Sequence, residues 1–272
     1  MKKIEWLNNH KDEIYRLYSI YKCCWKIAKH FKVGNSTITK FIKENKPELF
    51  KLKRDNCLQY AQKRRKHTCN TSYFTNIDSH DKAYILGFIF ADGHNNTKNG
   101  ILQIGIHKKD IAVLLFIKER MNCSHKIKEE KDTNIIKLYI CSRQISNDLK
   151  HLGCHSDKTF SATFPNIEEQ FKNSFLLGLF DGDGCITILK HCNAGSLSFC
   201  GYDSFLQEIN NYLVNVLNIK RGCFSKDNRC DQRISNLRYG TKKDILKIRD
   251  FFYKDAPFFL ERKFNKFSLL KV

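Results

Sequence analysis

"AYILGFIFADG" (residues 83–93) and "FLLGLFDGDG" (residues 175–184) each drive an apolar run into an aspartate followed by glycine. The aspartates are Asp92 and Asp183. Read as helices, each stretch carries two small residues four positions apart, Gly87 with Ala91 and Gly178 with Gly182, so each pair shares one helix face. A glycine inside a helix costs about 1 kcal/mol relative to alanine, so the two small faces need a physical reason. The simplest is that the two helices touch backbone to backbone through Gly87, Ala91, Gly178 and Gly182. Their remaining positions are apolar nearly all round, as expected of helices buried between two half-domains. Gly93 and Gly184 are expected to stop the helices in a left-handed conformation.

Working outward, the same order of patterns follows each stretch. Strand-like alternation comes next, "ILQIGIH" in the first copy and "SLSFCGY" in the second, then the helical "DIAVLLFIKERM" and "DSFLQEINNYLVNVL". Both copies return to strand and helix, "IIKLYICSRQISNDLKHLG" beside "ISNLRYGTKKDILKIRDFF", with Leu138 aligned on Leu237. Such an internal repeat predicts an α+β domain over residues 77–272, made of two pseudo-symmetric α-β-β-α-β-β-α halves at about 77–165 and 166–272. The two motif helices would pack at the join.

Residues 1–46 read as a separate helical unit. "WKIAKHFKVGNSTITKFIKEN" gives helix, short turn, helix, with Ile27, Phe31, Val33, Ile38 and Phe41 spaced to share a small core. The pattern resembles helix-turn-helix domains, with one departure: Lys32 stands where glycine usually makes the turn. Ser36 is expected to cap the second helix, and Ser36, Thr37, Thr39 and Lys40 to project toward DNA. Residues 47–76, with "KLKRDN" and "QKRRKH", read as a basic linker.

The 272 residues carry a net charge of +20, and residues 1–75 hold 18 basic against 6 acidic side chains. That balance points to a polyanionic partner such as nucleic acid. No apolar run is long enough to span a membrane, and the start lacks the apolar stretch of a secretory signal, so an intracellular protein is expected. The twelve cysteines include no CxxC pair, so they are expected to be small core fillers rather than disulfides or zinc ligands.

Close helix packing would bring Asp92 and Asp183 together at helix C-termini, where the helix dipole already disfavours anions. Two carboxylates about 4 Å apart repel by about 4 kcal/mol at an effective dielectric near 20. Either a shared proton or a divalent cation relieves this. Oxygen ligands beside a phosphate backbone favour Mg²⁺, with Mn²⁺ able to substitute. Under the pseudo-twofold, each acid would serve one strand of a duplex. Asp181 has Phe90 as its counterpart, so it reads as structural. Gln103, Arg143 and Arg238 are candidates for reading base edges from strands.

The paired motifs, with the flanks "YFTNIDSHDKAYILGFIFADG" and "HLGCHSDKTFSATFP", resemble the LAGLIDADG homing endonucleases in their single-chain, two-motif form. The likeness covers roughly residues 73–272. It implies antiparallel sheets forming a saddle over DNA and Mg²⁺-dependent cleavage of both strands across the minor groove by a monomer. It also implies Asp92 and Asp183 as metal ligands assisted by the carbonyls of Ala91 and Gly182. By the same carry-over, a lysine in each half stands near the cleaved phosphates: Lys158 in the first, and Lys263 (or its neighbour Lys266) in the second. Proteins of this fold also serve as non-cleaving transcription regulators or RNA-splicing maturases; keeping both acids favours cutting.

Overall fold

The structure, a computed structural model, describes residues 2–49, 67–156, 162–189, 194–226 and 233–270. It divides into two compact units, Met1–Lys66 and His67–Val272.

The first unit holds α1 (Lys2–Asn9), α2 (Lys11–Tyr21), α3 (Cys24–His30) and α4 (Asn35–Asn45). Ile14, Leu17, Tyr18, Ile27, Ile38 and Phe41 form its core, with Phe31 and Val33 packed at the margin. The α3–α4 turn closes through Val33 N–H on Ala28 O (2.9 Å) and Lys32 N–H on Lys29 O (3.3 Å). This paired closure requires a left-handed residue. That residue is Lys32, at φ 53°, so a side chain occupies the position where glycine is cheapest. The N-cap of α4 is Gly34, which makes no side-chain cap bond. Ser36 therefore lies inside the first turn and does not cap the helix, contrary to the sequence expectation: the chain turns two residues earlier than the serine suggests.

In the second unit, the first half runs α5 (His80–Asp92), β1 (Gly93–Asn96), β2 (Ile101–His107), α6 (Ile111–Arg120), β3 (Ile127–Glu129), β4 (Ile135–Cys141) and α7 (Arg143–His151). The second half repeats the order: α8 (Lys172–Asp183), β5 (Cys185–Leu189), β6 (Ala194–Tyr202), α9 (Asp203–Leu217), β7 (Cys223–Lys226), β8 (Ile234–Tyr239) and α10 (Lys242–Tyr253). A further helix, α11 (Glu261–Phe267), follows. Each half builds an antiparallel four-stranded sheet, ordered β1-β2-β4-β3 in one and β5-β6-β8-β7 in the other. Leu138 and Leu237, aligned in the sequence repeat, occupy equivalent places, opposite Ile104 and Phe199.

Alternation sets which face of each sheet is covered. Leu102, Ile104 and Ile106 of β2, Ile136, Leu138 and Ile140 of β4, and Leu197, Phe199 and Leu237 of the second sheet enter one continuous core. Their neighbours in sequence point the other way and leave a polar face open on each sheet.

Candidate active site

Helices α5 and α8 meet along a seam that admits no side chains. A Cβ placed on Gly87 would overlap the Phe175 carbonyl oxygen and stand 2.8 Å from its carbon and 2.9 Å from Leu179 N. A Cβ on Gly178 would overlap the Tyr84 carbonyl oxygen and stand 2.9 Å from both Phe88 N and the Tyr84 carbonyl carbon. The contact is reciprocal: each glycine sits over the residue three positions before the other. Gly182 in turn faces Ala91, and a Cβ there would lie 3.2 Å from Asp92 Oδ2. Thus the four small residues singled out in the sequence form the seam, and its far end carries the Asp92 carboxylate against α8.

Ser79 starts α5 by accepting a hydrogen bond from Lys82 N–H (3.3 Å). Both helices end at their aspartates, with Gly93 N–H on Ile89 O and Gly184 N–H on Phe180 O. The glycines are not left-handed: φ is −87° at Gly93 and −75° at Gly184, both extended. Crowding is the reason for glycine here. The chain doubles straight from helix into β1 or β5, and a Cβ would press to 2.9 Å from Ile89 Cα or 2.8 Å from Phe180 Cα.

Asp92 is half-buried and Asp183 exposed. Burial drives Lys263 down to a pKa of about 8; Asp181 opposes this, Arg262 adds to it, and Asp92 and Asp183 both oppose it. Asp92 Oδ2 lies against Gly182, the residue before Asp183. Lys263 itself is buried, and its Nζ donates to the carbonyl oxygens of Phe180 (2.6 Å), Gly182 (3.3 Å) and Gly184 (2.6 Å). It closes the C-terminal turn of α8 beneath Asp183. Lys266 is exposed and donates to Ile186 O at 3.3 Å on β5. Lys158 lies outside the described residues.

Asp181 sits in the core, only 1% exposed, accepting from Tyr84 O–H (2.8 Å) and Leu260 N–H (2.9 Å). Burial raises its pKa to about 6 against those two hydrogen bonds. Its carboxylate joins α5, α8 and the segment leading into α11. Arg262, in α11, reaches the first half through paired bonds to Asp110 (2.8 and 2.7 Å). The C-terminal segment thus fastens both halves beside the acids.

Of the residues expected to read bases, Gln103 lies on the open face of β2, opposite His94 and Tyr139. Arg238 is exposed on β8, opposite Ser198 and Cys223. Arg143 is not on a strand. β4 ends at Cys141, Ser142 caps α7 by accepting from Ile145 N–H (3.3 Å), and Arg143 is the first helical residue, against Gly100. In the first unit Ser36 and Lys40 are exposed on α4, and Thr37 and Thr39 half-exposed. Sequence reasoning passed over His94, Lys128, Lys137 and Tyr139, which share the open face with Gln103. The alternation of "IIKLYIC" carried that signal, since Lys137 and Tyr139 are its polar phase.

Among the described residues, no group of three or more His, Cys, Asp or Glu could hold a metal ion. Two carboxylates and main-chain carbonyls nevertheless fit a hard divalent cation. Mg²⁺ keeps several waters and takes only one or two protein carboxylates when phosphate oxygens complete its shell.

No family model and no curated protein matches the chain. Solved structures do resemble it. One is the meganuclease I-SmaMI bound to uncleaveable DNA with a TTCT central four, 15% identical over 68% of this chain and 88% of that one, with a TM-score of 0.47. Another is the I-LtrWI LAGLIDADG homing endonuclease bound to target DNA, 14% identical over 74% and 90%, TM-score 0.48. A third is the LAGLIDADG meganuclease I-AabMI bound to uncleaved DNA, 17% identical over 68% and 87%, TM-score 0.46. Likenesses of this strength carry no inference about what the chain does.

Proposed function

We propose that this protein is a site-specific endonuclease of double-stranded DNA, hydrolysing one phosphodiester on each strand across the minor groove with a divalent metal ion. The observation that carries this reading is the seam. A glycine-lined helix pair, costly on propensity grounds, ends in two aspartates, with the Asp92 carboxylate lying against Gly182 beside Asp183. Asp92 and Asp183, with the carbonyls of Ala91 and Gly182, would hold Mg²⁺. Bound there, the ion would neutralise charge on the phosphate and sharpen a water nucleophile. Because one chain contains both acids, a monomer suffices for a double-strand break.

The remaining roles fall to the chain itself. The open sheet faces, with His94, Gln103, Lys137 and Tyr139 on one and Arg238 on the other, would follow the grooves. The basic first unit would extend the footprint through Ser36, Thr37, Thr39 and Lys40. Arg143, at a helix N-terminus, suits a phosphate better than a base edge. The resemblance of the paired motifs to LAGLIDADG homing endonucleases supports the same reading.

A second reading is a binding protein of the same architecture, a transcription regulator or RNA-splicing maturase. One observation favours it: the Lys263 ammonium is spent on helix carbonyls. The test is cleavage of a plasmid library with Mg²⁺, followed by the same assay on Asp92→Asn and Asp183→Asn. Each variant should lose double-strand cleavage while keeping its affinity for the selected site. Normal cutting by both variants would sink the assignment, and binding without cutting by the wild type would favour the second reading.

A further inference from the structure

We infer that Cys69 and Cys123 form an oxidisable dithiol, a thiol–disulfide site that latches the first residues of the second unit to the end of α6. The case begins with the backbone. Helix α6 closes through Cys123 N–H on Lys118 O (2.7 Å) and Asn122 N–H on Glu119 O (3.0 Å), with Asn122 left-handed at φ 45°. Residues 67–70 run alongside this exit. Asn70 N–H donates to Met121 O (2.8 Å), and Ser124 N–H donates to Thr68 O (2.9 Å). These two bonds bracket Cys69 on one segment and Cys123 on the other. Thr68 N–H on Ser124 Oγ (2.7 Å) reinforces the pairing.

Two residues further along each segment, on the same face, the rings of His67 and His125 lie 5.0 Å apart. The backbone pairing that sets His67 beside His125 therefore sets Cys69 opposite Cys123. Cys69 Sγ donates to Met121 O at 3.6 Å, two residues before Cys123. Cys123 is buried and Cys69 half-buried. The neighbouring Cys69 thiol, the His125 N–H and nearby Lys118 pull the Cys123 thiol down against its burial, while the Cys123 thiol and burial push Cys69 up. The imidazoles do not convert the pair into a metal site among the described residues, and His67 Nδ1 is already within 3.1 Å of Ser124 O.

The reaction partner is a low-molecular-weight disulfide such as oxidised glutathione. The Cys123 thiolate attacks one sulfur of that disulfide, whose S–S bond breaks and releases one thiolate. Cys69, giving up its proton, then attacks Cys123 Sγ and releases the second. Two protein thiols become one disulfide and the reagent becomes two thiols, so electrons and protons balance. The link closes a loop spanning α5, β1, β2 and α6, and long loops gain most from closure.

The test treats the full-length protein with oxidised glutathione, blocks remaining thiols and maps the peptides. The expected product is a Cys69–Cys123 link, reversed by a small thiol, with a melting temperature roughly 5–10 °C above that of the reduced protein. Cys69→Ser should show neither the link nor the shift, and should carry glutathione on Cys123. The proposal fails if oxidation joins other cysteines, if the link forms without raising the melting temperature, or if wild type also stops at the mixed disulfide. It fails equally if the purified protein carries one zinc ion that Cys69→Ser loses. The wild-type comparison decides the matter even where the variant folds poorly.

Discussion

Replacing Gly178 by alanine tests the seam directly, because helix propensity and packing predict opposite signs. On propensity alone, Gly178→Ala stabilises α8 by about 1 kcal/mol. The structure predicts a loss. The new methyl would overlap the Tyr84 carbonyl oxygen and stand 2.9 Å from two further backbone atoms of α5. Comfortable carbon contacts need about 3.5–4.0 Å, so the helices must part by roughly 1 Å. Backbone cannot rotate away as a side chain does, so the cost belongs at the upper end of the roughly 1–3 kcal/mol typical of overpacking. Against the propensity gain, the net loss is about 2 kcal/mol, or roughly 4–8 °C in melting temperature for a unit of this size. Gly87→Ala should cost a similar amount, since Gly87 meets Phe175 as Gly178 meets Tyr84. The double variant should cost less than the sum, because helices parted by one methyl partly accommodate the other. Gly105→Ala on β2 is the control; its Cβ would meet only the Lys137 side chain, at 3.5 Å. Urea and thermal melts of the four variants provide the assay. If Gly178→Ala melts at or above wild type, close backbone packing is not why the glycine is there.

Three other outcomes follow from the same structure. Lys32→Gly relieves a left-handed lysine, worth about 0.5–1 kcal/mol after glycine's entropy, so amide exchange at Val33 should slow roughly two- to fivefold, and unchanged or faster exchange would count against it. Lys263 loses its proton near pH 8 when folded and near 10.5 when unfolded; between those values the unfolded chain binds more protons, so wild type should gain about 2 kcal/mol on Lys263→Met from pH 7 to pH 9.5, and a pH-independent difference would refute the burial. DNA affinity should fall roughly 10³-fold between 50 and 200 mM salt, as six or more phosphate contacts require, whereas a flat dependence would remove the open faces from the interface.

What the sequence revealed depended on whether the signal was local. The repeat, the strand faces and the small-residue seam are all periodic, so burial at period 2 or a four-residue spacing exposed them. Gly93 and Gly184 show the limit: a glycine letter marks either a left-handed residue or a crowded one, and only the neighbouring Ile89 and Phe180 backbones decide for crowding. Arg143 and Ser36 were misplaced by a few residues because each helix start was set by its true cap, Ser142 in one case and Gly34 in the other. The burial of Lys263 was within reach. Leu260, Lys263 and Phe267 are spaced as one helix face, and all three are buried, so an apolar stripe predicted an inward lysine where a family likeness suggested a phosphate-facing one. Asp181 was not within reach beyond its lack of a counterpart. Its partners, Tyr84 and Leu260, come from another helix and the C-terminal segment. A carboxylate this deeply placed persists only because folding delivers both donors to it, and that convergence also sets where Asp183, two residues on, meets the surface.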